Sequence, residues 1–387
     1  MIKSFTAFTS EIDNIEQAVA EITSQLGLEG NLLQNTVGIL SCYSEFIDSG
    51  VVDALTRHLP FDILGATTIA SAAAGEFSEF ALVLMVLTSD DVSFTTGVTS
   101  PIVGEDEGPL KAVYDSAMAG KSKPPAMILS FAPLLLNGDF FVGAMNKISM
   151  GVPNFGMVSI DHTTNYKHMR VIYNGECHTD CYACILFHGE FSPTFYLATL
   201  PQEKVFSEKG VVTASRGHLL EAVNGMPAWN YLQSLGLKKN EEGIIGLNTF
   251  CFSMDYEDGT APVLRAMLAF TPDDRYVVCA GEIPVGAGVS LVVVEEEKVL
   301  TSTAQLLEEI IAQVKPGSTA LMFSCLGRYF ALNFNSTDEL KLLSEQMRGK
   351  DINYTITYSG GEFCPVSKES ANLVNRSHNN TFVVCVF

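Results

Sequence analysis

Basic residues are scarce in this chain of 387 residues: 23 Lys and Arg stand against 44 Asp and Glu, a formal charge of −21. Nucleic acids and anionic lipids are bound through clustered cations that neutralise phosphate. The nearest thing to a basic run, Lys238-Lys239, is isolated, so neither nucleic acid nor membrane is expected as a partner. Long apolar runs are missing too. Pro124–Asn137 and Ile63–Gly75 are largely uncharged but fall short of a membrane span. The opening MIKSFTAFTSEID has no extended apolar core before its first acidic residues, so no secretory signal is expected. A cytoplasmic protein with its nine cysteines reduced is the expectation. The phosphate-loop pattern is absent, as is a dinucleotide fingerprint between a strand and a helix.

What the chain does have is apolar content, 47% of its residues, enough for a large core and two domains. Ile15, Ala18, Val19, Ile22 and Leu26 fall at helical spacing, with Asp13 as a cap and Gly27 just past the end. Val37–Tyr43, a helix near Ser49–Leu59 and Ile63–Thr67 then read as strand, helix, strand. Between about Phe155 and Leu200, β-branched and aromatic residues surround Asn174-Gly175, a strong hairpin signal, and the stretch reads as antiparallel ribbon. The triplet Glu295-Glu296-Glu297 reads as a solvated turn, followed by a helix over Thr303–Val314. No short internal repeat is evident. The fold class expected is α+β, with two domains of mixed and antiparallel sheet and packed helices. The domains are placed at 1–205 and 206–387, parted where Pro201 and the polar run Gln202–Lys209 interrupt the apolar pattern.

Three constellations could carry chemistry. Cys177, Cys181 and Cys184, beside His178 and His188, have a spacing compatible with an iron–sulfur cluster or zinc. Strand alternation would point Cys181 and Cys184 to opposite faces, so core thiols are the favoured reading. Phe323-Ser324-Cys325-Leu326-Gly327-Arg328 places an arginine just past a strand end, where α/β layers commonly hold ligands. Its planar fork suits a carboxylate; an ion pair with Glu362 is the alternative. The third is the terminal stretch, in which Tyr358, Gly360, Gly361 and Glu362 precede Asn375, His378 and Asn379 and a final apolar strand. Cys325 with His378 as base would make a cysteine-dependent enzyme, but no pattern marks an activated thiol.

FSCLGR (323–328), YSGGEF (358–363) and NRSHNNTFVV (375–384) together resemble the C-terminal half of FIST domain proteins, and LLEAVNGMPAWNYLQSLGL (219–237) resembles the entry to that half. ILSCYSEF (39–46) and ILGATTIA (63–70) resemble the two early strands of the N-terminal half, without the glycine–glutamate step expected soon after. The resemblance implies an intracellular, non-catalytic sensor of a small molecule, amino acids included. It implies an output partner on a separate chain, such as a histidine kinase or a cyclic-nucleotide enzyme. Some stand-alone members resemble haem-containing nitric-oxide sensors, which would make His378 an axial ligand, with His178 and His188 outside the motif. In the favoured reading no cofactor is bound. Arg328 takes a ligand carboxylate and Glu362 its ammonium. The Gly360-Gly361 backbone approaches closely, and Cys325, Tyr358, Asn375, His378 and Asn379 complete the site.

Overall fold

A computed structural model describes residues 2–163, 165–199, 209–240, 243–244, 250–271, 273, 275–367 and 373–387. It is an α+β structure whose main body is built from three six-stranded sheets of one design. In strand order, the first runs Lys3–Thr9, Leu82–Ser89, Asn35–Cys42, Ile63–Thr67, Val171–Tyr173 and Glu176–His178. The second runs Ser93–Val98, Ala183–His188, Met127–Ala132, Asn154–Val158, Glu362–Ser367 and Leu373–His378. The third runs Thr194–Ala198, Phe382–Val386, Ser318–Cys325, Ile352–Ser359, Ser71–Ala73 and Glu76–Ser78. In each, the third and fourth strands are parallel. A helix joins each parallel pair, as such a crossover requires: Val51–His58, Gly138–Ser149 and Ser336–Met347 in turn.

The chain therefore repeats one unit three times, a repeat not evident as a short motif in the sequence. Its signature is faint: ILSCY (39–43), ILSFA (128–132) and MFSCL (322–326) each place a buried serine one or two residues before the close of the first parallel strand. Each unit lends its hairpin to a neighbour's sheet, so the units interlock in a ring. At the carboxyl ends of the parallel strands, Ile160 N donates to Thr67 O (3.1 Å) and Gly360 N to Val158 O (2.9 Å). Thr68 Oγ1 donates to Tyr358 O (2.7 Å) and closes the circuit. The inner faces of all three sheets share one core, in which Leu64, Met85, Phe131, Phe155, Phe323 and Val383 meet. Phe155 and Phe323 stack across two sheets at 5.2 Å. Each outer face is covered by its own helices, which follows from strands apolar on both sides.

A second domain, from Gly210 to Val293, is a seven-stranded, wholly antiparallel sheet with its own core around Leu232, Phe252, Val277 and Leu291. It is inserted between the first strand of the third unit and the helix Glu296–Gln313. The fully buried Arg265 fixes it to the main body, donating to Asp139 (2.7 Å) and to Ser377 O (3.0 Å). The 205/206 division lies outside the described residues, while the second and third sheets take strands from both sides of it.

Local expectations fared unevenly. The Asn174-Gly175 hairpin forms, with both residues at positive φ. The rest of 155–200 is not a simple ribbon, because Asn154–Val158 pairs in parallel with Met127–Ala132. Asn14, not Asp13, caps the first helix. The glutamate triplet is no turn: Glu296 and Glu297 begin the Glu296–Gln313 helix, where its dipole favours acids. The helix Gly138–Ser149 was not anticipated.

Candidate functional site

The arginine, the acid and the imidazole singled out in the sequence are all fully buried. Arg328 does not face a ligand. Its Nη2 lies 2.7 Å from Glu339 Oε1 and its Nε 3.0 Å from the same oxygen, while Nη2 also donates to Val299 O (2.9 Å). Glu339 is itself satisfied on every side: Thr303 donates to Oε1 (2.8 Å), and Ser324 (2.7 Å) and Tyr358 (2.6 Å) to Oε2. Burial pushes the Glu339 carboxyl up, but the Arg328 charge and these donors outweigh it and hold it below its ordinary value. The sequence suggested Glu362 as the ion-pair partner of Arg328; the partner is Glu339, a residue nothing in the local pattern marked.

Glu362 accepts a hydrogen bond from Ser359. Burial drives its carboxyl well above the ordinary range, against the pull of Ser359 and Cys325. Burial thus works against the charged form that an ammonium would need. His378 bonds Cys364 O through Nε2 (3.0 Å). Burial lowers its pKa to about 3, so the ring is neutral. Asn375 accepts from Asn154 N (2.8 Å) and donates to Asn146 (2.7 Å) and Val152 O (2.9 Å), a structural role. Gly360 is crowded by the protein itself, while Gly361 meets its surroundings at ordinary contact distance. A Cβ on Gly360 would come within 2.9 Å of Leu134, and one on Gly361 within 3.4 Å of His378 O.

Cys325 lies beside Glu362, and burial, the largest cause, pushes its thiol far up. A thiol so disposed is not a nucleophile. Nor do the residues present fit haem at His378, whose ring is enclosed and bonded to a main-chain carbonyl. His188 is buried against Thr95 (2.7 Å), and His178 lies beside Glu176. Cys177 and Cys184 belong to different sheets. Among the described residues no His, Cys, Asp or Glu cluster is placed to hold a metal ion.

Two hollows open at the same ends of the parallel strands. The smaller, about 250 Å³, lies between the inserted domain (Phe250, Met267, Leu268) and Cys325, Gly360 and Asn379 of the main body. Three of the sequence-predicted residues thus border a hollow, while Arg328, Tyr358, Glu362 and His378 border neither. The larger, about 530 Å³, lies where the three units meet. The first unit contributes Tyr43, Glu79 and Phe80, the second Asp161 and Tyr166, and the third Leu326, Tyr329 and Phe334. Tyr43 meets Phe80 edge-on at 5.0 Å and donates to or accepts from His162 Nε2 at 2.9 Å. Tyr329 meets Phe334 edge-on at 5.7 Å. Phe80 and Phe334, 58% and 60% exposed, stand at the rim. Tyr166 and Phe334 adopt positive φ (51° and 62°), a conformation that costs an aromatic residue and gathers at functional sites. Asp161 is held by the His168 N–H (2.7 Å) and by Thr163. Tyr43 and Leu326 lie within stretches picked out in the sequence, but none of these lining residues was assigned to the site. The usable signal was position, since Tyr43 and Leu326 each follow directly on the first parallel strand of their unit.

The FIST N domain family matches residues 36–226 and the FIST C domain family residues 218–365. No curated protein matches. Among solved structures, a cyanuric acid hydrolase from A. caulinodans is 8% identical over 100% of this chain and 99% of its own, with a TM-score of 0.38. Phosphoribosylformylglycinamidine synthase II from Thermotoga maritima is also 8% identical, over 100% of this chain and 71% of its own, with a TM-score of 0.19. Likenesses that weak carry nothing about the activity of this chain. Among the described residues no helix is long and apolar enough to cross a membrane. With both halves matched in order, the chain belongs to the FIST family of sensory domains.

Proposed function

We propose that this protein is a non-catalytic cytoplasmic sensor that seats a small ligand in the larger hollow and signals to a separate partner. The observation that carries this reading is the composition of the lining: residues from all three units converge on one 530 Å³ space with exposed aromatics at its rim. Pockets of this size, mostly apolar with a few fixed polar groups, are the usual seats of small ligands. A ligand here would bridge the three units. Leu326 and Phe330 border both hollows, so its presence would also bear on the seam with the inserted domain, a route to an output partner.

The amino acid favoured from sequence keeps one of its two anchors. Glu79 and Asp161 suit an ammonium, whereas Arg328 is committed to Glu339 and leaves a ligand carboxylate unmatched. A thermal-shift screen of amino acids and amines tests the seat. A ligand held only by the folded state at a hundred times its Kd adds about 2.7 kcal/mol. The shift should vanish in Leu326→Trp, which fills the hollow, with the fold checked by circular dichroism. A shift that survives in that variant places the ligand elsewhere.

A further inference from the structure

Among the described residues, no Lys or Arg lines the larger hollow, while two carboxylates do, Glu79 and Asp161. Six tyrosine and phenylalanine side chains supply most of the remaining wall, with His162 stacked on Tyr43 at 4.4 Å. Aromatic faces carry the negative lobe of the ring quadrupole and attract an organic cation, most of all one whose substituents make it poor at hydrogen bonding. Burial, and then the negative charges of Glu45 and Asp161 at Tyr43 and of Glu79 at Tyr329, raise both phenols. The rings therefore stand in a negative local field. The overall charge of −21 enriches cations near the surface and repels anions.

We propose that the ligand of this hollow is a small organic cation, a quaternary or alkylated ammonium. It is caged by Tyr43, Tyr166 and Tyr329, with Phe80 and Phe334 closing the mouth and Glu79 and Asp161 balancing its charge. This rests on the reading of the hollow as the ligand seat and narrows it. The competing zwitterion, an α-amino acid, finds no cation for its carboxylate there. Asp161 holds the turn that carries Thr163 and His168 through both its oxygens, whereas Glu79 accepts a single bond, from Ser336 (2.7 Å), so Glu79 is the carboxylate to alter.

The test is calorimetric titration of the full chain with tetraethylammonium and choline, against 3,3-dimethyl-1-butanol, the uncharged carbon isostere of choline, and against glycine betaine. The cations should bind at least tenfold more tightly than the neutral isostere and than the betaine. Tyr329→Leu and Glu79→Gln should each weaken cation binding by roughly three- to tenfold, the first with little change for the neutral isostere. If the isostere binds as well as choline and Leu326→Trp still abolishes it, the hollow is a seat but not for a cation. If the cations do not bind, or bind equally to Leu326→Trp, the proposal is overturned. Both single substitutions lie at the hollow's wall, and a folded Tm within a few degrees of the parent validates the comparison.

Discussion

The strand Ser318–Cys325 ends between two very different regions. On one side lie Arg328, Glu339, Ser324 and Tyr358, a polar knot without solvent contact in which the charges satisfy one another. On the other lies an open aromatic hollow whose carboxylates face space no protein cation fills. Both regions look like ligand chemistry when read as residue types. Only one opens onto a hollow, although Arg328 Nη1 is left without a partner in the other. A buried ion pair stripped of water must be matched within the protein, because the desolvation cost is otherwise unrecovered; once matched, it is structural. The difference teaches that charge in a motif marks where the fold is held as readily as where a ligand sits, and that unspent groups beside free volume separate the two.

The contrast can be broken most forcefully at Arg328. Arg328→Ala should cost about 3–5 kcal/mol of stability, because it leaves Glu339 charged, buried and unpaired. Chemical denaturation measures this, and a loss below about 1 kcal/mol would mean that the guanidinium is not spent on the fold. A smaller effect comes from His378. Its pKa falls from 6.5 to about 3 on folding, first because of burial. The unfolded chain therefore takes up this proton before the native state does. The histidine's contribution is present above about pH 6.5 and lost as pH falls toward 3, at roughly 1.4 kcal/mol per unit. Urea unfolding between pH 7 and 5 should show a shallower slope for His378→Gln than for the parent, by about 2 kcal/mol over that range. Equal slopes would mean that the imidazole is reached by water, and the region would no longer count as sealed.

Much of the secondary structure was legible. Gly27 ends the first helix in the left-handed conformation. Asn174-Gly175 makes its turn with positive φ at both residues, because these signals are local and steric. The parallel pair Asn35–Cys42 and Ile63–Thr67 followed from its strand–helix–strand order. The threefold ring did not, since each sheet borrows a hairpin from another unit and such pairing leaves no local mark. The site was read by type and not by exposure. Arg328 and Glu339 are eleven residues apart, on different helices, and their meeting depends on how Leu326–Ala331 and Ser336–Met347 pack. Tyr43, Phe80, Asp161 and Tyr329 come from all three units, so no stretch of sequence displays them together.

A crystal structure of the protein with the small molecule that raises its Tm most would weigh the two regions directly. The account predicts density for that molecule between Tyr43 and Tyr329, beside Asp161 and Glu79, with the Arg328–Glu339 pair intact. Density against Glu362 or His378, with Arg328 turned away from Glu339 toward the ligand, would contradict it.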